Sequence, residues 1–377
     1  MKAPVRNFII REGTGTREAE TLVLGHGVPL TTTAGGLPEL ATTRVGETQL
    51  MPSGGDDTQA IRDALATGLD VRLGPGTFTI TDTLTLGAGG KGQRLVGSGT
   101  ARTTLDAIGP VTTMVAIAFR DCAVEGLALT GYAQTGIRAV VSGAVTLRDL
   151  HIYNADRGIH LENAYGAEVS RVLVVFSPEG IYARSISRST LRDITVTSTL
   201  TGIRIENGTG VTCESISATG EDDQAPSVIV ISGGTDYRVS RVLAESFQNP
   251  VVLGGAQRVS VELLSLGLCN TGILLDGMRD VTLSASRVWA SRNALVVRGC
   301  EDVVVGAFRS DNSLVTSPAP HVLVESSPGV FFTGIRIVKP SNSTYDVDVS
   351  LAGGRVLFGP HNFDPARINS GGNFAQL

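Results

Sequence analysis

One tetrapeptide recurs through the middle of this chain at a fixed interval. Thr135-Gly136-Ile137-Arg138 returns as Arg157-Gly158-Ile159-His160, Glu179-Gly180-Ile181-Tyr182 and Thr201-Gly202-Ile203-Arg204, so the glycines stand 22 residues apart three times over. Six further copies keep the pattern, mostly without the glycine: Ser227-Val228, Pro250-Val251, Gly272-Ile273, Ala294-Leu295, His321-Val322 and Asp346-Val347, at intervals of 25, 23, 22, 22, 27 and 25 residues. A repeat of this length is a supersecondary unit that cannot bury its apolar face alone and must stack on its neighbours.

Within each copy apolar residues alternate. The position after the glycine reads Ile137, Ile159, Ile181, Ile203, Val228, Val251, Ile273, Leu295, Val322, Val347, and two further on reads Ala139, Leu161, Ala183, Ile205, Val230, Leu253, Leu275, Val297, Val324, Val349. Period-two alternation predicts a strand with one face buried. A second strand repeats in phase through Leu147, Val169, Leu191, Cys213, Val239, Val261, Leu283, Val305 and Phe332. A leucine-rich repeat is the rival, but it would need a helix where the Gly-Ile strand stands. The expected fold is all-β, a right-handed single-stranded parallel β-helix of about 22-residue coils. Cys213 falls in an inward column, as an inert core thiol.

The coils need capping, because an open solenoid exposes a sheet edge. Asp57 to Gly68 reads as a short amphipathic helix, with Asp56 or Asp57 as N-cap, Ile61, Ala64 and Leu65 as its apolar face and Gly68 as its stop. The expected organisation is an N-terminal appendage over 1–50, a β-helix with its capping helix over 51–352, and a C-terminal capping tail over 353–377. With 18% charged and 42% hydrophobic residues the chain is not a disordered one, and a net charge of −5 without a basic run argues against a nucleic-acid partner. No stretch is apolar enough to insert in a membrane. No apolar core follows the first charged residues, so no secretory signal is read. The four cysteines follow no metal or disulfide spacing, and no cofactor or metal is expected.

Gly55-Asp56-Asp57-Thr58-Gln59-Ala60-Ile61, then Val71-Arg72-Leu73-Gly74-Pro75-Gly76-Thr77-Phe78, then Leu95-Val96-Gly97-Ser98-Gly99, resembles the opening of pectate-lyase-like β-helix proteins. With the coils, the resemblance covers about residues 55–350. It implies the fold, and a function among polysaccharide lyases, glycosidases, epimerases and bacteriophage tailspikes. The motif set of polygalacturonases is not met: Gly25-His26-Gly27 precedes the capping helix, Asp222-Asp223 lacks the later motifs, and Arg336-Ile337-Val338-Lys339 has the wrong spacing. Nor is there the column of aspartates that a calcium-dependent pectate lyase would need.

Stacking points to a candidate site. The outward position two after each glycine reads Arg138, His160, Tyr182, Arg204, and the next outward position reads Val140, Glu162, Arg184, Glu206. Glu162 and Glu206 are the candidate catalytic carboxylates, two rungs or roughly 9.6 Å apart at the backbone, close to the spacing of an inverting glycosidase. His160, Tyr182, Arg184 and Arg204 are the candidate substrate-binding residues. A plain ladder of alternating charge also explains Glu162-Arg184-Glu206, and Asp276-Arg298-Glu325 repeats it. Glu221, Asp222 and Asp223, in a lengthened turn, are secondary candidates, and Trp289 is a candidate sugar platform or a packed turn aromatic.

Further along, the outward column turns apolar, as Ile229, Val252, Leu274, Val296 and Leu323. A contiguous apolar row calls for a cover, and the expectation is a homotrimer axis. The leading functional expectation is therefore a tailspike or receptor-binding protein of a phage virion. It would bind a bacterial surface polysaccharide, with or without depolymerising it, and residues 1–50 would contact a tail or baseplate protein. The alternatives are a free extracellular lyase, glycosidase or epimerase, and a non-catalytic adhesive β-helix.

Overall fold

The computed structural model describes residues 22–24, 28–30 and 47–376, apart from 198, 221–224, 312–318, 339–345, 352, 360–364 and 371–373. The chain divides into two compact units, Met1–Glu47 and Thr48–Leu377. The described part of the first is an antiparallel strand pair, Leu22–Leu24 with Val28–Leu30.

The second unit is a parallel β-solenoid of about 13 turns. Its ladders are parallel and join each coil to the next, as in Leu147↔Val169↔Leu191↔Cys213. This column reaches back through Val124 and Leu95 to Val71, and forward through Phe332 and Phe358 to Gln376. The coils thus begin ahead of the Gly-Ile repeat. The described tail residues continue them: Val356–Phe358 and Phe374–Gln376 pair in parallel, and the Phe358 ring stacks on Phe332 inside the coil at 4.8 Å between centroids.

The recurring glycines are set by a close approach. A Cβ on Gly136, Gly158, Gly180 or Gly202 would sit 2.5–2.7 Å from the carbonyl oxygen of the next residue in the same column, and beside Ile152, Val174 or Val196. Gly and the following Ile are both buried, so one residue of the strand is left out of the pairing at each copy. The Ile column that follows is fully buried throughout: Ile137, Ile159, Ile181, Ile203, Ile229, Val251, Ile273, Leu295, Val322 and Val347.

Ile229 corrects the expected register of the fifth copy. Ile203 pairs with Ile229 and Arg204 with Val230, so Val228, not Ser227, continues the glycine column. Ile229 and Ile231 are inside, and the outward apolar column is Val230, Val252, Leu274, Val296 and Leu323; none of the five is fully exposed, and Val296 is buried within the chain itself. A one-residue slip moves every side chain to the other face. The run Val228-Ile229-Val230-Ile231 has no polar residue to mark which face is which.

Corners also stack. Gly126, Asp149, Arg171, Asp193, Ser215, Arg241, Leu263, Ala285 and Ala307 follow one another along the coils, all with φ between 47° and 68°. A non-glycine residue in this region costs roughly 1–2 kcal/mol. Here it lets the chain turn between two strands while both stay in the ladder. Arg171 adds two hydrogen bonds to Asp149, at 2.5 and 2.7 Å.

The expected helix spans Thr58–Ala66 and packs on the first strands, Asp70–Leu73 and Leu84–Leu86, with Ile61, Ala64 and Leu65 buried. Its start divides the two aspartates. Asp57 holds the cap position, but its carboxylate accepts from the Ser53 and Thr79 amides, tying the helix to Gly76–Ile80. Asp56 accepts from the Thr58 amide at 2.9 Å.

Ile203→Asp would bury an unpaired carboxylate, and the expected loss exceeds about 4 kcal/mol. Gly180→Ala is expected to cost about 1–3 kcal/mol through overpacking. Denaturant unfolding checks both, and an unchanged midpoint in either variant contradicts the stacking.

Candidate functional site

The polar residues read from the sequence stand in register. Arg138, His160, Tyr182 and Arg204 form one column, and Val140, Glu162, Arg184 and Glu206 the next. A third column was not read from the sequence: Arg157 pairs with Glu179, and Glu179 with Thr201. Simple alternation counted back from Ile159 would put Arg157 inside. The glycine left out of the pairing reverses the parity, so Arg157 and His160 face the same side.

This column connects the others. The Glu179 carboxylate accepts from Arg157 Nε at 2.6 Å and from Arg204 Nε at 2.9 Å. The Arg157 guanidinium also lies 4.4 Å from the centroid of the Tyr182 ring. The ring meets the edge of His160 at a 5.1 Å centroid distance, and its hydroxyl donates to Glu206 Oε2 at 2.8 Å. Tyr182 is therefore an oriented phenol with one face taken by Arg157, rather than an open stacking platform.

His160 is the most enclosed member, its side chain 13% exposed. Nδ1 lies 3.4 Å from Arg157 Nη1. Nε2 is buried without a hydrogen bond, 3.7 Å from Glu162 Oε2. Burial, then the charges of Arg157 and Arg138, hold the imidazole below its ordinary pKa against the pull of Glu162 and Glu179. Burial, with the hydrogen bond to Glu206, pushes the Tyr182 phenol up.

The expected alternating-charge ladder does not close here. Arg184 stands between Glu162 and Glu206 in register but pairs with neither among the described residues, and is exposed, as is Arg138. In the second ladder Arg298 does pair with Glu325, at 2.9 Å. The two glutamates of the first are bound differently: Glu206 to a phenol, Glu162 beside a neutral imidazole.

A groove of about 490 Å³ lies at the turns leading into these rungs. Gly109, Pro110, Tyr132, Gln134, Asn154 and Asp156 line it. Tyr132 is 84% exposed, and Asp156 immediately precedes Arg157. Among the described residues no cluster of His, Cys, Asp or Glu could hold a metal ion, and no helix is long and apolar enough to cross a membrane. Cys213 is fully buried, which pushes its thiol up to about 12. Glu221, Asp222 and Asp223 lie outside the described residues.

No protein-family model matches the chain, and no curated protein matches it either. Solved structures do. The catalytic unit of a thermostable GH87 α-1,3-glucanase from Streptomyces thermodiastaticus superposes with a TM-score of 0.52 at 15% identity, over 92% of this chain and 69% of that one. An alginate lyase from Paenibacillus sp. gives 0.52 at 15%, over 74% and 99%. The A-module of the Azotobacter vinelandii mannuronan C-5 epimerase AlgE4 gives 0.50 at 13%, over 82% and 91%. At these identities the likeness is one of fold: the chain is a parallel β-helix.

A histidine whose folded pKa lies below its unfolded value favours the folded state while neutral. As pH falls, the unfolded chain takes up the proton first. The contribution of His160 to stability is therefore full above about 6.5 and lost as pH falls through its folded pKa. NMR titration is expected to find the His160 ring below its ordinary value, and His160→Gln to flatten the acid side of the stability curve. A ring titrating at or above the ordinary value contradicts the site geometry.

Proposed function

We propose that the chain binds a polysaccharide along the rungs of Arg157–Glu162, Glu179–Arg184 and Thr201–Glu206, and processes it there. The carrying observation is the half-buried polar network on these three rungs. A sheet surface at this point needs only solvated side chains. Here His160, Tyr182, Glu179 and Glu206 are oriented by named partners, beside a groove with an exposed tyrosine. Such fixed donors and acceptors suit a ligand dense in hydroxyl groups. The α-1,3-glucanase, alginate lyase and mannuronan epimerase that share the fold support the same substrate class.

Within this reading Glu162 and Glu206 are the carboxylates that would flank the reacting sugar. Arg184 and Arg138, exposed and without an ion pair among the described residues, are the cations that would meet acidic or anomeric oxygens. Glu206 holds the Tyr182 hydroxyl, so proton transfer on this side would run through the pair. His160, kept neutral, is able to accept a proton near Glu162. A panel of capsular and O-antigen glycans, scored for new reducing ends and for an unsaturated product, tests the reading. Glu162→Gln and Glu206→Gln are each expected to lower turnover about a hundredfold or more. Tyr182→Phe is expected to act with Glu206→Gln rather than add to it. Full binding and cleavage in both Gln variants would reduce these rungs to a surface ladder.

A finer reading is a phage tailspike that recognises a bacterial surface polysaccharide. One feature favours it: the outward, half-buried aliphatic column from Val230 to Leu323, which a trimer axis would cover further. Sedimentation of the wild type should then give a trimer, and Leu274→Asp with Val296→Asp should dissociate it. A wild-type monomer contradicts the tailspike reading and leaves the free enzyme.

A further inference from the structure

A second face of the solenoid carries three arginines on consecutive rungs. Arg287 pairs with Arg309, and Arg309 with Arg336, on the strands Arg287–Arg298, Phe308–Asp311 and Ile335–Ile337. The rung before them holds Ser265. Adjacent coils stand about 4.8 Å apart, so three like charges are stacked within roughly 10 Å. Like charges directly opposite on a sheet are destabilising. At several other places the solenoid answers stacked arginines with carboxylates, as in Arg238–Glu262, Arg258–Asp236 and Arg279–Glu301. These three close no ion pair among the described residues, and the Arg309 Nε is buried with no hydrogen-bond partner.

Beside them stands Trp289, the sole tryptophan of the chain. Its register partners are Gly267 and Asp311. A Cβ on Gly267 would sit 2.2–2.5 Å from the indole, so glycine is what allows the ring to lie across that rung. The Arg287 guanidinium is 5.5 Å from the ring centroid. Asp311 and Glu245 stand on the indole's own column, and Glu262 is held by Arg238. The face is a flat aromatic ring bordered by a row of cations spaced by the coil repeat.

We propose that Arg287, Arg309, Arg336 and Trp289 form a second binding site, for a linear anionic polysaccharide. Carboxylate or sulfate groups along the chain would lie on the guanidinium row, where bidentate hydrogen bonds are available, and a sugar ring would rest on the indole. The aromatic ring favours a glycan over a bare polyphosphate. This site lies on a different column of paired residues from the polar rungs and does not depend on their function: it would hold a polymer without acting on it.

The test uses the full chain with polygalacturonate and dextran sulfate as carboxylate and sulfate probes, neutral dextran as control, and a single-stranded oligodeoxythymidylate as a non-glycan polyanion. At least one acidic glycan should bind, more weakly as salt rises, and neutral dextran should not. The triple variant Arg287→Gln, Arg309→Gln, Arg336→Gln should weaken that binding about tenfold or more, and Trp289→Ala should weaken it without changing the salt dependence. Thermal unfolding supplies a second readout. Without ligand, Arg309→Gln should raise the midpoint by removing repulsion. The acidic glycan should raise the wild-type midpoint clearly more than that of the triple variant, in which only the polar rungs remain to bind it. Unaltered glycan binding in the triple variant overturns the site, as does oligonucleotide binding that is equally strong and equally lost in that variant. Loss of these effects leaves the Glu162 and Glu206 variants to be judged on their own.

Discussion

The rungs that carry the polar network depend on the coil-to-coil stacking of backbone on backbone at Gly136, Gly158, Gly180 and Gly202. In the first four copies the next carbonyl sits 2.5–2.7 Å from where Gly136, Gly158, Gly180 or Gly202 would carry a Cβ, so a larger residue there would have to move a strand. That contact holds the Ile column in register on one side and leaves a residue out of the pairing on the other. Burial of the aliphatic columns supplies the main driving force, at about 25 cal/mol per Å² of apolar surface. The close contact decides which of the possible registers is occupied.

The same local irregularity builds the candidate site. Because glycine and isoleucine both turn inward, Arg157 and Glu179 emerge on the side of His160 and Tyr182. Three outward columns then meet on three rungs, and Glu179 bridges two arginines across them. A regular strand would have given two columns and a simple charge ladder. Further along, where Val228, Pro250, Gly272 and Ala294 follow in the glycine position, the outward column becomes aliphatic and the polar network ends.

The solenoid, the Ile column and the columns of His160 and Glu162 were legible because exact 22-residue spacing carries register without any structure, and the helix because its apolar face and glycine stop are local signals. Arg157 and Glu179 belong to the repeat, yet parity counted along a strand puts them inside, because it does not see a residue left out of the pairing. Ile229 was misplaced for a related reason: four consecutive aliphatics give no polar mark of facing. The groove with Tyr132 rests on an irregular turn at Ala107–Val111, where pairing shifts register, and no periodic signal reaches it. The arginine row was invisible because its members sit 22 and 27 residues apart, and only the pairing shows them as neighbours.

The three polar rungs, taken together, are proposed to hold a glycan. Hydrogen–deuterium exchange with a bound oligosaccharide addresses it directly, because protection reports on backbone beneath the ligand. Protection concentrated in 155–162, 179–184 and 201–206, with the groove turns at 107–112 and 131–134, is the predicted result. Protection that spares those strands and falls elsewhere on the solenoid would contradict it.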